Sequence, residues 1–141
     1  MSDGLEFKLE VVVVPVSDVD RAKAFYEQAG FVTDTDFSAS EDFRVVQVTP
    51  PGSSCSITFG TGISPGEPGS VSGLHLVVVD LPAALADLVS RGIEVSEPFH
   101  FGATGQTPGL HPDRADYGSY ASFSDPDGNG FLLQEIPSRV R

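Results

Sequence analysis

The hydrophobic pattern divides the chain into short apolar runs and one amphipathic helix in each half. Residues 7–16 are rich in valine and predict a buried strand, because β-branched side chains pack well on a pleated sheet. The segment that follows is apolar at helical spacing and predicts a short helix. Ser17 with Asp20 three residues later predicts the N-cap of this helix, and Gly30 predicts its end.

The remaining apolar runs predict further strands and a second helix. This second helix begins at Asp80, carries Pro82 in its first turn and ends at Gly92. Residues 102–116 are rich in glycine, proline and polar residues and predict a long loop. The predicted strands lie at 31–38, 42–49, 54–60, 74–79, 93–101, 117–124 and 130–136.

The pattern of strand, acidic helix start, helix, glycine and strand occurs twice, 62 positions apart, with Asp18 aligned to Asp80. A repeated supersecondary unit of this length predicts two modules that share a sheet or core. The fold class expected is α+β: two tandem βαβββ modules whose strands form a curved, mostly antiparallel sheet around a cleft. The modules are predicted at 7–60 and 73–136, joined by a connector at 61–72, within one domain of residues 1–141.

Composition and charge exclude some classes of partner and location. Eight basic against 20 acidic residues give a formal net charge of −12, which argues against nucleic acid and anionic membrane surfaces as partners. No apolar run approaches the roughly 20 residues of a membrane-spanning helix. The N-terminal residues MSDGLEFK do not resemble a secretory signal, and Cys55 has no second cysteine to pair with. A cytoplasmic location is therefore expected.

Two segments carry a family resemblance: VVVPVSDVDRAKAFYEQAGF near the start and SFSDPDGNGFLLQE near the end. With the internal duplication, they resemble the vicinal oxygen chelate superfamily, which includes glyoxalase I, extradiol dioxygenases, fosfomycin-resistance enzymes and bleomycin-resistance proteins. The resemblance covers essentially the whole chain. It identifies the fold better than the reaction, because one fold hosts unrelated chemistries.

The resemblance also implies where a metal ion would bind. Members with metal chemistry use four inward-facing ligands, one on the first and one on the last strand of each module. The matching positions here are Val11, Ser56, Gly73 and Leu132. These residue types do not supply the imidazole and carboxylate donors that such a site needs. We therefore expect no metal and no other cofactor.

Residues two apart on a strand share a face, so His75 and Gln134 are expected to point into the same cavity as positions 73 and 132. One histidine and one amide make a poor metal site but good ligand contacts. Tyr120 lies on a strand that walls the pocket in similar proteins, and His100 ends a strand beside the long loop. Arg44 and Gln47 are expected on opposite faces of their strand. The predicted substrate-binding residues are His75, Gln134, Tyr120, His100 and Arg44.

Two hypotheses of function remain. The first is a metal-free binding protein, similar to the bleomycin-resistance proteins, that sequesters or carries a planar or cationic small molecule. The second is a glyoxalase-like lyase or isomerase that uses acid–base chemistry from His75 or His100 without metal. No catalytic residue is assigned, because no second partner is evident. A homodimer is expected, since such modules leave strand edges that need partners.

Overall fold

The computed structural model describes residues 4–63 and 66–139 and has α+β architecture. The chain divides into two compact units, Met1–Pro68 and Gly69–Arg141. The predicted modules at 7–60 and 73–136 each fall within one unit. No helix in the described part of the chain is long and apolar enough to cross a membrane.

The first unit has the predicted order of one strand, one helix and three strands. Its strands form a sheet in the order β1-β4-β3-β2, in which β1 and β4 run parallel and the other pairs antiparallel. The elements are β1 (Val11–Val13), α1 (Val19–Gln28), β2 (Val32–Ser40), β3 (Phe43–Thr49) and β4 (Ser56–Thr61).

The second unit repeats this order with one extra strand. Its sheet has the order β5-β9-β8-β6-β7, with β5 and β9 parallel and the other pairs antiparallel. Each module therefore forms a sheet of its own. The elements are β5 (Leu74–Val78), α2 (Leu81–Ser90), β6 (Phe99–Gly102), β7 (Gly105–Pro108), β8 (Tyr120–Ser124) and β9 (Gly130–Glu135).

Both helices begin with the same cap. The Asp18 carboxylate accepts a hydrogen bond from the Arg21 amide, and the Asp80 carboxylate accepts one from the Ala83 amide. The prediction of Ser17 as the first N-cap was wrong by one residue. Asp18 is extended and its carboxylate reaches the third residue beyond it, which satisfies one of the free amides of the first turn.

Three of the predicted elements were wrong in extent. Only Val11–Val13 of the predicted strand 7–16 forms a strand. The predicted strand 93–101 begins only at residue 99, as β6 (Phe99–Gly102), and β7 lies inside the predicted loop 102–116. A two-residue turn joins β6 to β7, and Gly105 follows it with a φ of 105°. A glycine-rich hairpin of this kind lacks the apolar alternation by which strands are recognised from sequence.

Each helix covers one face of its own sheet with apolar side chains. In the first unit, Tyr26 of α1 stacks on Phe59 of β4 with ring centroids 5.4 Å apart. In the second unit, the buried residues of α2 are Leu81, Leu85 and Leu88. Burial of these side chains is the main stabilising contribution to each unit.

Candidate functional site

The two faces of the second sheet differ in character. On β9, the buried residues Phe131, Leu133 and Glu135 lie on the face that α2 covers, where the Glu135 carboxylate accepts a hydrogen bond from the Leu81 amide at the start of α2. The alternate residues Leu132 and Gln134 are half-buried and point to the opposite side. We call this opposite side the distal face.

The distal face brings together three of the five predicted site residues. In the parallel pair β5–β9, His75 lies opposite Leu132 and Val77 lies opposite Gln134. In the antiparallel pair β8–β9, Tyr120 lies opposite Gln134. The prediction that His75 and Gln134 share a face is thus consistent with the register. His75 is exposed, and its side chain forms no hydrogen bond with residues 4–63 or 66–139.

An aromatic cluster of Phe99, Phe101 and Tyr120 lies on the distal face next to Gln134. The Phe99 and Tyr120 rings are nearly parallel with centroids 5.7 Å apart, and the Phe101 and Tyr120 rings meet edge to face with centroids 5.4 Å apart. Phe101 is 59% exposed. An aromatic surface that remains this open, beside a few polar groups, is typical of a small-molecule site.

The Tyr120 hydroxyl connects two other groups. It donates a hydrogen bond to the backbone carbonyl of Tyr117 at 2.7 Å and accepts one from the Gln134 side-chain amide at 3.3 Å. Tyr117 belongs to the loop between β7 and β8 and has a φ of 64°. Few residues other than glycine adopt this left-handed conformation, so the loop must be held firmly in place.

Hydrogen bonds between Arg114 and Glu135 attach the loop to β9. The Arg114 guanidinium contacts both carboxylate oxygens of Glu135, with Nε 2.8 Å from one of them. Glu135 is fully buried, and its backbone carbonyl also accepts a hydrogen bond from the Tyr117 amide. The hydrogen bonds from Arg114 hold the pKa of the Glu135 carboxyl below its usual value, although burial acts in the opposite direction.

His100 lies on the other side of its strand from the aromatic cluster. It alternates with Phe99 and Phe101, and its Nδ1 is 2.8 Å from the Gly109 carbonyl. Because a carbonyl only accepts, Nδ1 must carry the proton and donate it. The His100 ring also meets the edge of His111, with centroids 6.1 Å apart. The structure therefore does not bring His100 together with His75, Gln134 and Tyr120.

Arg44 lies in the first unit, on the face of the sheet that carries the buried residues Val46 and Val48. Its guanidinium binds Asp36 and Asp20, with N···O distances of 2.8 to 3.0 Å. The hydrogen bond from Arg44 and, to a smaller extent, the one from Lys23 hold the pKa of the Asp36 carboxyl well below its usual value. These contacts occupy Arg44 within its own unit and explain its place without a ligand.

A line of polar side chains lies on the opposite face of the first sheet. Thr49 donates a hydrogen bond to the Asp34 carboxylate, and Gln47 donates to the same oxygen at 3.4 Å. Since the Thr49 proton is used in this way, the contact of 2.6 Å between the Ser56 and Thr49 hydroxyls must be donated by Ser56. Arg44 and Gln47 thus lie on opposite faces, as expected.

The four positions at which similar proteins hold a metal ion do not fit one here. The Val11 and Leu132 side chains have no donor atom, and the neutral Ser56 hydroxyl, hydrogen-bonded to Thr49, is not an imidazole or carboxylate ligand. Gly73 has a φ of 76°, a conformation that a ligating side chain would rarely tolerate. Among residues 4–63 and 66–139, no three His, Cys, Asp or Glu side chains are grouped closely enough to hold a metal ion.

Sequence reasoning missed Phe99, Phe101, Tyr117, Arg114 and Glu135. The alternation Phe99-His100-Phe101 could have indicated two aromatic rings on one face. Arg114 and Tyr117 carry no such signal, because their positions depend on how the loop folds back onto β9. The alternation along β9 places Glu135 on the opposite face from Gln134, but does not indicate the groups that it binds there.

Residues 8–133 match the family model described as Glyoxalase/Bleomycin resistance protein/Dioxygenase superfamily. A search of curated proteins gave no match.

Among solved structures, TnmS3, an antibiotic binding protein from Streptomyces sp. CB03234, is 33% identical, with a TM-score of 0.71 over 93% of this chain and 97% of that chain. A glyoxalase/bleomycin resistance protein from the same organism is 34% identical, with a TM-score of 0.69 over 91% and 100%. A superfamily member from Sphaerobacter thermophilus DSM 20745 is 28% identical, with a TM-score of 0.69 over 92% and 98%.

Proposed function

The chain belongs to the Glyoxalase/Bleomycin resistance protein/Dioxygenase superfamily, and from this membership we propose that it binds a small organic molecule on the distal face of its second sheet. The observation that carries the proposal is the aromatic cluster beside Gln134. Phe101 leaves one edge of the cluster open to solvent. A planar ligand that covered this surface would gain both apolar burial and ring stacking.

Similarity to TnmS3 supports this proposal. That protein is described as antibiotic binding, and it matches this chain over nearly its whole length. We take from it the class of function, binding of a small organic compound. Within the proposed site, Tyr120 and Gln134 would contact the ligand directly, and the exposed His75 would contact it from β5. Arg44 and His100 would lie outside it.

We propose that binding proceeds without a metal ion. The side chains of Val11, Gly73 and Leu132 offer no ligating atom at the family's metal positions, and a single neutral hydroxyl, that of Ser56, is a poor ligand by itself. His75 and Gln134 would then act as hydrogen-bonding groups toward the organic molecule. A lone imidazole with an amide lacks the carboxylate that a hard divalent ion prefers.

The alternative function, a lyase or isomerase with acid–base chemistry, receives less support. His75 and His100 do not share a site, since His75 lies on β5 and His100 turns away from the aromatic cluster toward Gly109. General acid–base catalysis requires a base within hydrogen-bonding reach of the reacting proton and a group that takes the opposite role. No carboxylate contacts His75 in the described part of the chain.

We also propose that the two units act as one cytoplasmic domain that forms a homodimer. The segment before β1 supports the dimer, because Leu5, Phe7 and Leu9 alternate with charged residues and are 70%, 97% and 71% exposed. This alternation is that of a strand with one apolar face. β1 forms one end of its sheet, so a second copy could pair there and cover these side chains.

A thermal-shift screen tests the binding function. The purified protein is heated with a panel of antibiotics and planar aromatic compounds, and hits are confirmed by calorimetric titration. A ligand that binds the native state raises Tm. The variant Phe101→Ser should raise the dissociation constant of a confirmed ligand about tenfold or more, because it removes the exposed aromatic side chain of the site.

Phe37→Ser is the matched control, since Phe37 is 56% exposed on the first sheet against 59% for Phe101 on the second. It should leave the affinity unchanged. If Phe37→Ser lowered the affinity for the ligand and Phe101→Ser did not, the proposed site would be wrong. If no compound in the panel raised Tm, binding of this ligand class would be contradicted.

A further inference from the structure

A chain of two hydrogen bonds fixes the orientation of the Gln134 side chain. The Tyr117 backbone carbonyl can only accept, so the Tyr120 hydroxyl must donate its single proton to it, over 2.7 Å. The Tyr120 oxygen is then left to act as an acceptor toward Gln134, 3.3 Å away. Gln134 must therefore turn its NH₂ group toward Tyr120 and its carbonyl oxygen, Oε1, in the other direction.

The carbonyl that starts this chain is held rigidly. The Tyr117 amide donates to the Glu135 carbonyl at 2.9 Å, which ties the residue to β9. Two residues that precede Tyr117 in the loop are also attached to the rest of the unit. Arg114 binds the buried Glu135 carboxylate, and the Asp116 carboxylate accepts a hydrogen bond from the Ser138 amide at 3.0 Å. The Tyr117 carbonyl is thus a fixed acceptor, despite its place in a loop.

The Gln134 Oε1 atom remains available. It accepts no hydrogen bond from residues 4–63 or 66–139, whereas every fully buried side-chain oxygen or nitrogen in that part of the chain has a partner. Oε1 is therefore accessible, and it lies on the distal face next to the Phe99–Tyr120 stack. A fixed acceptor at the rim of an aromatic surface is complementary to a ligand with a donor at the edge of a ring.

We infer that Gln134 Oε1 is a specificity-determining acceptor, which selects planar aromatic molecules that carry an O–H or N–H donor on the ring edge. This inference rests on the proposed function and adds the chemical class of the ligand. Tyr120 is the positioning residue: its hydroxyl holds the amide in one orientation, and its ring contributes to the aromatic surface. An ether or carbonyl at the same ring position would meet Oε1 with a second acceptor and be disfavoured.

The test compares two probes that differ in one donor, 2-naphthol and its methyl ether, 2-methoxynaphthalene. Dissociation constants of both are measured by fluorescence titration, and the result is their ratio, ether over naphthol. Gln134→Leu should lower this ratio about five- to tenfold, because it removes the acceptor. Tyr120→Phe should lower it in the same direction, because the freed amide can turn its NH₂ to the ether oxygen, while the ring surface is retained.

Gln28→Leu, an exposed glutamine on α1, is the matched control and should leave the ratio as in the wild type. The inference is overturned if Gln134→Leu or Tyr120→Phe leaves the ratio unchanged although Phe101→Ser weakens both probes. That outcome would retain the proposed function. If neither probe bound, or if Phe101→Ser affected neither, the proposed site itself would be rejected together with the inference. Melting temperatures of all variants establish that each is folded.

Discussion

Arg114 reaches from the loop between β7 and β8 to both carboxylate oxygens of Glu135, a residue with no exposed surface. The same carboxylate accepts a hydrogen bond from the Leu81 amide at the start of α2, at 2.7 Å. One buried side chain thus joins a strand, a helix and a loop. Because it is ionised and paired, the stability of the second unit should depend on pH.

Glu135→Gln should destabilise the protein by about 2 kcal/mol at pH 7, since a charge-assisted buried pair is replaced by weaker hydrogen bonds. The folded-state pKa of Glu135 lies below its usual 4.5. Its contribution is therefore fully present above about pH 4.5 and is lost as pH falls through the folded pKa. Urea denaturation at several pH values should show the gap between variant and wild type narrowing toward acid.

Glu94→Gln, an exposed glutamate in the same unit, is the control for this measurement and should change stability by less than about 0.5 kcal/mol. A gap between Glu135→Gln and wild type that stayed constant from pH 7 to pH 3 would show that the Glu135 charge does not stabilise the fold.

His75→Leu should leave Tm unchanged and weaken ligands found in the screen by about 1–3 kcal/mol. The exposed imidazole makes no hydrogen bond to the described residues, so the fold loses little when it is removed. Paired measurements of Tm and affinity decide the matter. A large fall in Tm with unchanged affinity would mean that His75 supports the structure and does not contact the ligand.

Arg44→Met should cost about 1 kcal/mol of stability and leave ligand affinity unchanged, because the Arg44 guanidinium forms ion pairs with Asp36 and Asp20. Arg91→Met is the control, since Arg91 forms a more exposed pair with Asp87 one helical turn away, and the change should cost a few tenths of a kcal/mol. Chemical denaturation and titration of both variants test this. Loss of affinity in Arg44→Met alone would return Arg44 to the site.

The purified protein should carry no stoichiometric divalent metal ion, because the residues at the family's four ligand positions do not suit one. Elemental analysis after purification without a histidine tag measures this. One equivalent of zinc, nickel, iron or manganese that survived dialysis would contradict the prediction and require ligands other than Val11, Ser56, Gly73 and Leu132.

Sedimentation equilibrium at micromolar concentration should give twice the chain mass of 14.9 kDa. Phe7→Ser should raise the dimer dissociation constant at least about tenfold, because the Phe7 side chain is 97% exposed, more than Leu5 or Leu9. Val89→Ser removes an exposed apolar group from α2 and should have no effect. A single species of one chain mass, or equal effects of both variants, would contradict the proposed dimer.

The sequence was sufficient for features that depend on neighbours along the chain. The alternation of strand residues predicted that His75 and Gln134 share a face and that Arg44 and Gln47 lie on opposite faces. The pairing of β5 with β9 and the burial along β3 agree with both predictions. The ends of both helices at Gly30 and Gly92 were also predicted correctly, and both glycines have positive φ. The adjacent Ser17 and Asp18 can both cap a helix, so spacing alone did not identify the right one.

Features that depend on contacts between distant segments could not be predicted. Arg44 was known to face away from Gln47, but its occupation by Asp36 and Asp20 follows only from the packing of α1 on β2 and β3. The face that His100 occupies depends on the pairing of Phe99 with Tyr120, which the sequence does not fix. The orientation of the Gln134 amide depends on Tyr117, in a loop whose left-handed residue has no recognisable signature.

The attachment of the Tyr117 loop to β9 has a consequence for redesign. Gln134 and Glu135 are neighbours in one strand and serve opposite faces, and the loop connects the two through Glu135 on one side and Tyr120 on the other. On the proposed function, ligand preference would be altered from residues 114–117, which are exposed and lie outside the apolar core. Inserting or removing one residue between Arg114 and Tyr117 would displace the Tyr117 carbonyl. The Tyr120 hydroxyl would lose its acceptor, and the Gln134 side-chain amide would no longer be held in one orientation. The same loop would therefore act on both faces of β9: Arg114 stabilises the fold through Glu135, and Tyr117 would set the selectivity through Tyr120.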